Sequence, residues 1–276
     1  MSRPYAEVIG DPIAQSKSPL IHNFWLERLG IDAEYRRCHV RPHELPEYFA
    51  SRCADPAWRG CNVTIPHKEA VGPFLDRLDP KAKSVGAVNT VFRSDGLLTC
   101  GTNTDVDGVA EAVAGHALKG KKAVVLGAGG AARSAFSFLS SAGCKTMVVA
   151  RNVEKAGKVA RDFELDADLV PLAPGSGALD NATLLINATQ LGMTGQAPMP
   201  PYLLDELKTM ADGALVFDMV YAPLETDLLK AAADNGLKTS GGLTMLVGQA
   251  ATAFEKFFGC KPPRDQDEEL LRILMA

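Results

Sequence analysis

The hydrophobic residues of this chain alternate between short apolar runs of strand length and longer amphipathic stretches. The stretches Leu20 to Leu29 and Leu243 to Phe258 repeat apolar residues with the period of a helix. Strands that alternate with helices are typical of an α/β fold with parallel strands. Five runs carry the strand signal: Tyr5 to Ile9, Ala123 to Leu126, Thr146 to Ala150, Thr183 to Ile186 and Ala214 to Phe217.

A glycine-rich turn follows the run Ala123 to Leu126. Its spacing, Gly127-x-Gly129-x-x-Ala132, fits the dinucleotide-binding fingerprint. Gly127 permits the tight turn, Gly129 lets a pyrophosphate approach the backbone, and Ala132 allows close packing of helix on sheet. The pyrophosphate would bind free N–H groups at the positive end of the helix. Glycine turns between strand and helix are common, so the motif alone leaves a purely structural turn open.

Arg151 stands at the end of the next predicted strand, where an NAD-binding protein carries an acidic residue for the ribose 2′-hydroxyl. A guanidinium suits a 2′-phosphate instead, so this residue favours NADP over NAD. Asn152 and Lys155 are placed to assist, although a surface position at the head of a helix also explains Lys155.

Polar tails follow the two later strands of the same region. Asn187-Ala188-Thr189 follows one strand, and Asp218-Met219-Val220-Tyr221 follows the other. Because open α/β sheets bind ligands outside the carboxyl ends of their strands, we expect both tails to face the cofactor. The segment from Gly192 to Pro201 is rich in Gly, Pro and Met and predicts a mobile loop.

Two serines flank the start of the first predicted helix. Ser18 precedes Pro19, and Gly30 closes the helix, which is the usual asymmetry of helix ends, so we predict that Ser18 is the N-cap. The alternative is that Ser16 and Ser18, with nearby N–H groups, form a cradle for a carboxylate.

Lys68 and Asp105 form a second candidate pair. The sequence predicts a helix from Pro66 to about Leu78, with Lys68 in its first turn, where the positive end of the helix dipole makes the ammonium a better proton donor. A solvated surface lysine is the alternative. Asp105 precedes the helical pattern Val106 to Ala114, so it could cap that helix or pair with Lys68.

Three further polar residues are candidates for a cleft. Asn89 and Asn103 fall at the ends of predicted elements, where side chains can converge on a ligand. Gln249 shares a face of the last long helix with apolar residues, so we expect it to be buried with a backbone or substrate partner. His67 is interpreted as a packed or capping histidine.

Composition narrows the class of protein. The chain has 276 residues, 46% hydrophobic and 22% charged, which suits a globular protein of two domains. No apolar run approaches the ~18 residues of a membrane span, and the amino terminus lacks a secretory signal, so we expect a soluble cytoplasmic protein. Six cysteines without C-x-x-C spacing predict neither a metal site nor a disulfide framework. A net charge of −4 without a basic block favours a small-molecule partner over nucleic acid.

Seven stretches together resemble the shikimate dehydrogenase family, and they follow the family's order along nearly the whole chain. They are GDPIAQSKSP from Gly10 to Pro19, NVTIPHK from Asn62 to Lys68, GAVNT from Gly86 to Thr90, NTD from Asn103 to Asp105, GAGGAA from Gly127 to Ala132, NAT from Asn187 to Thr189 and GLTMLVGQA from Gly242 to Ala250.

The resemblance implies an α/β protein of two domains. Residues 1–105 plus 244–276 would form an N-terminal α/β substrate domain, to which the C-terminal helices return, and residues 106–243 a Rossmann-like NADP-binding domain. The implied reaction is the reversible NADPH-dependent reduction of 3-dehydroshikimate to shikimate, in chorismate and aromatic amino acid biosynthesis. A homodimer is also expected from the resemblance.

The resemblance also implies a role for each matching residue. Lys68 would transfer the proton, with Asp105 as its partner. The residues implied to bind the substrate are Ser16, Ser18, Thr64, Asn89, Tyr221 and Gln249. Those implied to bind the cofactor are Gly127, Ala128, Gly129, Gly130, Ala131, Ala132, Arg151, Asn152, Thr189, Met219 and Gly242.

The chain departs from the family at the cofactor-reading segment, which is usually Asn-Arg-Thr and here is Ala150-Arg151-Asn152. The preference for NADP is therefore expected to be shallower. One alternative is a paralogue that acts on quinate or an aminoshikimate. A second alternative is a non-catalytic NADP-binding protein, against which the presence of both Lys68 and Asp105 argues, because a sensor needs no proton-transfer pair.

Overall fold

The computed structural model describes residues 3–94 and 98–275. The chain forms two compact units, the first comprising Met1–Asp105 and Gln249–Ala276, and the second Val106–Gly248. In chain order the strands and helices are β1 (Tyr5–Gly10), α1 (Ser18–Arg28), β2 (Glu34–His39), α2 (Leu45–Ala54), β3 (Trp58–Val63), β4 (Arg77–Leu78), α3 (Pro80–Val85), β5 (Thr90–Ser94), β6 (Leu98–Thr102), α4 (Asp105–Ala112), β7 (Lys122–Leu126), α5 (Gly130–Ala142), β8 (Lys145–Ala150), α6 (Val153–Asp162), β9 (Ala167–Pro171), β10 (Leu184–Asn187), α7 (Pro201–Glu206), β11 (Leu215–Asp218), α8 (Asp227–Asp234), β12 (Lys238–Ser240), α9 (Gly242–Phe258) and α10 (Asp267–Met275). Short 3₁₀ helices occupy Pro42–Glu44, Gly72–Phe74, Leu207–Thr209 and Arg264–Gln266.

A mixed six-stranded sheet in the order β2-β1-β3-β5-β6-β4 forms the centre of the first unit. Strand β1 runs parallel to β2 and β3, whereas β5 runs antiparallel to β3 and β6. Gly60 lies in β3 with a φ of +149°, and a Cβ there would come within 2.7 Å of the Phe257 ring, so the missing side chain lets the carboxy-terminal part of α9 pack on the sheet.

The second unit holds a parallel six-stranded sheet in the order β12-β11-β10-β7-β8-β9. Numbered from β7, this is the doubly wound order of dinucleotide-binding folds, with the order reversing between β7 and β10. Ligands of such sheets bind outside the carboxyl ends of the strands at that reversal. The central strands β7, β10 and β11 are buried apolar runs, as β7 shows with four consecutive buried residues, Ala123 to Leu126, whereas the edge strands β9 and β12 are more exposed.

The predicted elements are confirmed wherever an apolar period defined them. Five predicted strands are observed as β1, β7, β8, β10 and β11, with ends displaced by one residue, and the long predicted helix is α9. Gly30 follows α1 with a φ of +62°, as expected of a glycine that closes a helix.

Two predictions of helix geometry are wrong. No helix runs from Pro66 to Leu78: Pro66 and Glu69 lie in turns, followed by the 3₁₀ helix Gly72–Phe74 and the two-residue strand β4. Ser18 is not an N-cap, because α1 already begins at Ser18 and its N-cap is Lys17, whose side chain caps no N–H group. The start of α1 is thus displaced by one residue, whereas after Pro66 long-range backbone hydrogen bonds replace the expected helix.

Two negative findings concern the part of the chain that the structure describes. No helix there combines the length and apolar character needed to cross a membrane. No group of three or more His, Cys, Asp or Glu side chains there is placed to hold a metal ion.

Candidate functional site

Lys68 and Asp105 form an ion pair in the first unit. The Lys68 Nζ lies 2.6 Å from the Asp105 Oδ2, and both side chains are partly exposed, 33% and 20% respectively. The other carboxylate oxygen accepts a hydrogen bond of 2.8 Å from the Asn89 Nδ2. An ammonium that a carboxylate holds in one place, yet that remains in reach of a ligand, suits proton transfer.

The backbone around Lys68 places the ammonium without a helix. The Val88 N–H donates to the Lys68 carbonyl oxygen at 2.8 Å, which ties this turn to the segment before β5. The predicted effect of a helix dipole on Lys68 is therefore wrong, because no helix begins there. The neighbouring His67 is 1% exposed and its Nε2 lies 2.6 Å from the Val40 carbonyl oxygen, which confirms a packing role.

Asp105 is the first residue of α4, and its carboxylate contacts Lys68 and Asn89. The start of this helix is held by Asn103, whose Oδ1 accepts from the Asp105 N–H at 3.1 Å. Asn103 thus supplies the turn chemistry that the sequence suggested for Asp105. The Asp105 carboxylate is consequently directed to the ammonium.

Ser16 and Ser18 lie side by side at the start of α1. Their hydroxyl oxygens are 3.3 Å apart, and the Ser18 N–H donates to the Ser16 Oγ at 3.3 Å. Arg37 donates from Nε and Nη2 to the Ser16 carbonyl oxygen at 3.0 and 2.6 Å, which fixes the loop and brings a positive charge to it. Two adjacent hydroxyls near a cation can hold a carboxylate.

Gln249 and Thr64 complete the polar cluster of the first unit. Gln249 is 8% exposed, as expected, and its Oε1 accepts from the Thr104 hydroxyl at 3.3 Å, a side-chain partner where a backbone or substrate partner was expected. Thr64 is half-buried beside Gly10, where an added Cβ would approach the Thr64 Cγ2 to 2.6 Å. Gly10 therefore leaves room for the threonine side chain.

The glycine turn of the second unit connects β7 to α5. Gly127 has a φ of +98°, and a Cβ there would approach the Thr189 Cγ2 to 2.8 Å, so both conformation and packing require glycine. Among residues 3–94 and 98–275, a Cβ on Gly129 or Gly130 would have no atom within 4 Å apart from those of its chain neighbours and its own helix backbone. These two glycines are thus not needed for packing within the chain, as expected where backbone N–H groups approach a ligand.

The surroundings of that turn also fit a dinucleotide. No side chain caps the first N–H groups of α5, and no acidic residue lies in its first turn, so these N–H groups favour an anion. Ala132 is fully buried against the sheet, as the fingerprint predicts, whereas Ala128 is half-buried and Ala131 is exposed. The residues present therefore fit a pyrophosphate.

Arg151 and Asn152 lie at the end of β8 with different roles. Arg151 is exposed, and it forms no ion pair or hydrogen bond with any residue between 3 and 94 or 98 and 275. The Asn152 Oδ1 accepts from the Lys155 N–H at 2.8 Å, which makes Asn152 the N-cap of α6. A guanidinium directly before a capped helix start suits the binding of a 2′-phosphate, in addition to the pyrophosphate.

A buried carboxyl joins the two polar tails at the ends of β10 and β11. One Asp218 oxygen accepts from the Asn187 Nδ2 at 2.9 Å and the Val220 N–H at 3.0 Å, and the other accepts from the Thr226 hydroxyl at 2.7 Å. Burial raises the pKa of Asp218 against the lowering effect of these bonds. The Asn187 Oδ1 in turn accepts from the Thr189 N–H and hydroxyl, so both tails are fixed together.

Met219, Tyr221 and Gly242 lie beyond that carboxyl. A Cβ on Gly242 would approach the Met219 carbonyl oxygen to 2.5 Å, so glycine lets the start of α9 pack on this tail. Met219 is half-buried, and Tyr221 is 40% exposed, an unusual exposure for a large aromatic residue. Both are accessible to a ligand from their own unit.

The sequence interpretation missed the buried hydroxyl and amide groups that form hydrogen bonds with Asn89. The Asn89 Oδ1 accepts from the Thr104 N–H at 2.7 Å and from the Thr90 hydroxyl at 2.9 Å, and Thr90 also contacts Asn62. A usable signal was Asn62, a polar amide within the predominantly buried strand β3. Its partners could not be found without the strand pairing that sets Asn62 opposite Thr90.

Three family models match the chain in succession. Residues 8–91 match a shikimate dehydrogenase substrate binding domain, residues 109–193 match shikimate / quinate 5-dehydrogenase, and residues 242–272 match a shikimate 5'-dehydrogenase C-terminal domain. The second match contains the glycine turn, and the first contains Lys68.

Known proteins resemble the chain over almost its whole length. A curated shikimate dehydrogenase (NADP(+)) of Sphingopyxis alaskensis is 49% identical over 99% of this chain and 97% of the relative. The crystal structure of shikimate 5-dehydrogenase from Thermus thermophilus, in complex with NADP(H) and shikimate, is 36% identical, covers 98% of this chain and 99% of its own, and has a TM-score of 0.83. The ligand-free 5-ketofructose reductase of a Gluconobacter species is 28% identical over 99% of both chains, with a TM-score of 0.87. With 49% of its residues identical to one such relative and three models of the family matching in succession, the chain belongs to the shikimate dehydrogenase family.

Proposed function

We propose that this protein is an NADP-dependent shikimate dehydrogenase, which catalyses the reversible reduction of 3-dehydroshikimate to shikimate in chorismate and aromatic amino acid biosynthesis. The observation that carries the proposal is the Lys68–Asp105 pair, 2.6 Å apart and oriented by Asn89, in a chain whose relative at 49% identity bears that name. A non-catalytic NADP-binding protein has no use for such a pair.

We assign the chemical roles to the first unit, as its substrate domain. NADPH supplies the hydride when it is bound. Negative charge then develops on the substrate oxygen, and the Lys68 ammonium stabilises this oxygen and donates a proton to it. Asp105 holds the ammonium in position until the proton is transferred. In the reverse direction the same lysine receives the proton.

The remaining polar residues orient the substrate. Ser16 and Ser18 would bind its carboxylate beside the positive charge of Arg37. The side chains proposed to bond the ring hydroxyls, besides Asp105, are Thr64, Asn89 and Gln249. Substrate binding by Tyr221 stays a prediction.

We assign cofactor binding to the second unit. The N–H groups from Ala128 to Ala131 would bind the pyrophosphate, whereas those of Gly127 and Ala132 already donate to the carbonyl oxygens of Val149 and Gly129. The Arg151 guanidinium would bind the 2′-phosphate. Asn152 supports that site as the cap of α6, and Thr189, Met219 and Gly242 shape the end near the strand tails. The homodimer, the cytoplasmic location and the lack of nucleic-acid binding stay predictions.

The test is an absorbance assay at the reduced-nicotinamide band with shikimate or quinate as substrate and NADP or NAD as cofactor. We expect fast reduction with shikimate and NADP only. Preference for quinate or NAD would assign the protein to the alternative paralogue. Absence of reduction in all four mixtures, with NADP binding retained in calorimetry, would support the non-catalytic protein instead.

A further inference from the structure

We infer that Tyr35 is a positioning residue of the proposed reaction, because its hydroxyl starts a buried chain of hydrogen bonds that orients Asp105 and, through it, Lys68. This inference rests on the proposed function and adds to it a residue outside the substrate and cofactor sites. Tyr35 lies on β2 and is 2% exposed.

Four hydrogen bonds connect Tyr35 to the catalytic pair. The Tyr35 hydroxyl lies 2.6 Å from the Asn62 Oδ1, and the Asn62 Nδ2 lies 2.9 Å from the Thr90 Oγ1. The Thr90 Oγ1 lies 2.9 Å from the Asn89 Oδ1, and the Asn89 Nδ2 lies 2.8 Å from the Asp105 Oδ1. Asn62 is 6% exposed, Thr90 0% and Asn89 3%, so water does not compete for these bonds.

The direction of the bonds near Asp105 follows from chemistry. A carboxylate only accepts hydrogen bonds, so Asn89 presents its Nδ2 to Asp105. The Asn89 Oδ1 then faces the Thr104 N–H at 2.7 Å, which can only donate. Both ends of the Asn89 amide are therefore assigned without ambiguity, and its oxygen is available to the Thr90 hydroxyl proton.

The direction at the other end is assigned independently. The Asn62 Nδ2 lies 3.3 Å from the Asn89 carbonyl oxygen, which only accepts, so the nitrogen of Asn62 faces Asn89 and Thr90. The Asn62 Oδ1 must then face Tyr35, and the Tyr35 hydroxyl must donate. Every bond from Tyr35 to Asp105 thus points the same way, and hydrogen bonds in such a chain polarise one another.

The surroundings hold Tyr35 in the one place from which it reaches Asn62. The Asn23 side chain bonds both the N–H and the carbonyl oxygen of Tyr35, at 2.8 and 2.7 Å. The His22 ring stacks on the Tyr35 ring with centroids 4.0 Å apart, and burial lowers the pKa of His22 to about 3, so this ring is neutral. Ala6 pairs with Tyr35 and also with Gly60, so two small residues leave room for the ring to cross β1.

Tyr35 lies beside the serine pair. Ser18, whose hydroxyl lies 3.3 Å from that of Ser16, is close enough to lower the pKa of Tyr35 against the effect of burial. Burial nevertheless holds the pKa of Tyr35 well above its usual value, so the hydroxyl keeps its proton at working pH. The phenol is therefore near the residues proposed to bind the carboxylate, and it bonds the chain of hydrogen bonds that leads to Asp105.

The primary experiment compares Tyr35→Phe with Tyr48→Phe in the assay with shikimate and NADP. Both tyrosines are buried in the first unit, and the Tyr48 hydroxyl donates to Glu7 at 2.8 Å, away from the chain of bonds. Loss of the Tyr35 hydroxyl leaves the Asn62 Oδ1 unpaired, so we expect kcat to fall roughly tenfold with an unchanged KM for NADP. The Tyr48→Phe kcat should stay within about twofold of the natural value.

A double-mutant cycle separates positioning from general destabilisation. If Tyr35 acts through Asp105, adding Tyr35→Phe to Asp105→Asn lowers kcat no further. A tenfold loss in both backgrounds would overturn the inference, because the effect would then bypass the catalytic pair. A folded Tyr35→Phe protein with a natural kcat would overturn it as well.

Thr90 is a second residue in the same series of hydrogen bonds, and its variants test the inference if Tyr35→Phe does not fold. Thr90→Ser keeps the hydroxyl, and Thr90→Val keeps the shape without it. We expect Thr90→Val to lose roughly tenfold in kcat and Thr90→Ser to recover most of this loss. Equal activity of the two variants would contradict the inference.

Failure of the proposed function gives a different result. In that case the unaltered protein reduces no NADP with shikimate, and none of the variants changes a rate. Failure of the Tyr35 inference alone leaves the unaltered enzyme fully active.

Discussion

The two units bind their proposed ligands by different means. In the first unit, buried or partly buried side chains such as Asn89 and Asp105 carry the chemistry, and each is held by hydrogen bonds from others. In the second unit the main contributors are backbone N–H groups at an uncapped helix start, two glycines that no packing requires, and the exposed Arg151. Proton transfer needs a preorganised side chain, whereas a pyrophosphate needs only correctly placed backbone and charge.

The largest expected effect tests the side-chain half of this comparison. Lys68→Ala removes the proton donor, so kcat should fall by ~10²–10⁴-fold while the Kd for NADP stays unchanged. Steady-state kinetics and calorimetry check the two quantities. Lys83→Ala, at an exposed lysine of α3, serves as control and should behave as the natural protein. Near-natural turnover of Lys68→Ala would remove the proposed role.

The second prediction tests the backbone half with a matched pair of glycines. In the part of the chain that the structure describes, the methyl group of Gly129→Ala meets no atom within 4 Å beyond its chain neighbours, so the free energy of unfolding should not fall. NADP binding should nevertheless weaken by about tenfold or more, because the methyl group blocks the pyrophosphate. Gly127→Ala forces a φ of +98° on alanine and should also lower the free energy of unfolding by ~1–2 kcal/mol. Unchanged NADP affinity in Gly129→Ala would show that this glycine is only a turn residue.

The third prediction concerns the one charged side chain proposed for the cofactor site. Arg151→Gln removes charge-assisted bonds to the 2′-phosphate, so the ratio of kcat/KM for NADP to that for NAD should drop by about tenfold. Lys155→Gln tests whether any nearby cation has the same effect, and we expect a smaller change there. If both variants keep the natural ratio, cofactor choice depends on other groups.

The smallest effect concerns Asp218, the buried carboxyl of the second unit. Because burial raises its pKa above the unfolded value, its stabilising contribution is complete below the unfolded pKa and is lost as pH rises through the folded pKa. The amide that Asp218→Asn introduces does not titrate, and it can keep the bonds from Asn187 and Val220. This variant should therefore gain stability relative to the natural protein as pH rises above about 4, the pKa of an unperturbed Asp.

Urea unfolding at several pH values measures that difference. Asp212→Asn, at an exposed aspartate in a turn, provides the reference for a surface substitution. A difference between the natural and Asp218→Asn proteins that does not change with pH would contradict the prediction.

The sequence correctly predicted those strands and helices whose repeat of apolar residues lies within one short segment. Strand β7 and helix α9 were found because burial of one face leaves a repeat that a short window contains. The helix from Pro66 was wrong because distant groups determine that backbone: the Val88 N–H bonds the Lys68 carbonyl oxygen, and the Asp76 N–H bonds the Thr99 carbonyl oxygen. No local pattern records such partners.

The same reason explains which site residues the sequence could supply. Lys68 and Asp105 stand in motifs and carry charge, so the local sequence alone marks them as candidates. Tyr35 lies outside every motif, and its contact with Asn62 requires the strand order β2-β1-β3 and the small residue Ala6 between them. Sheet order is a long-range property, so a residue whose role depends on it is not visible in a local segment.

The division of the first unit into two segments has a consequence for biosynthesis. The ribosome synthesises all of the second unit, Val106–Gly248, before it adds Gln249 and the remaining part of the first unit. Phe254 and Phe257, which pack against the His22 ring beside Tyr35, are made only after the whole second unit. The contiguous second unit can thus fold during translation, while the first must wait for the segment that begins at Gln249. The nascent chain would acquire its cofactor site before its catalytic one.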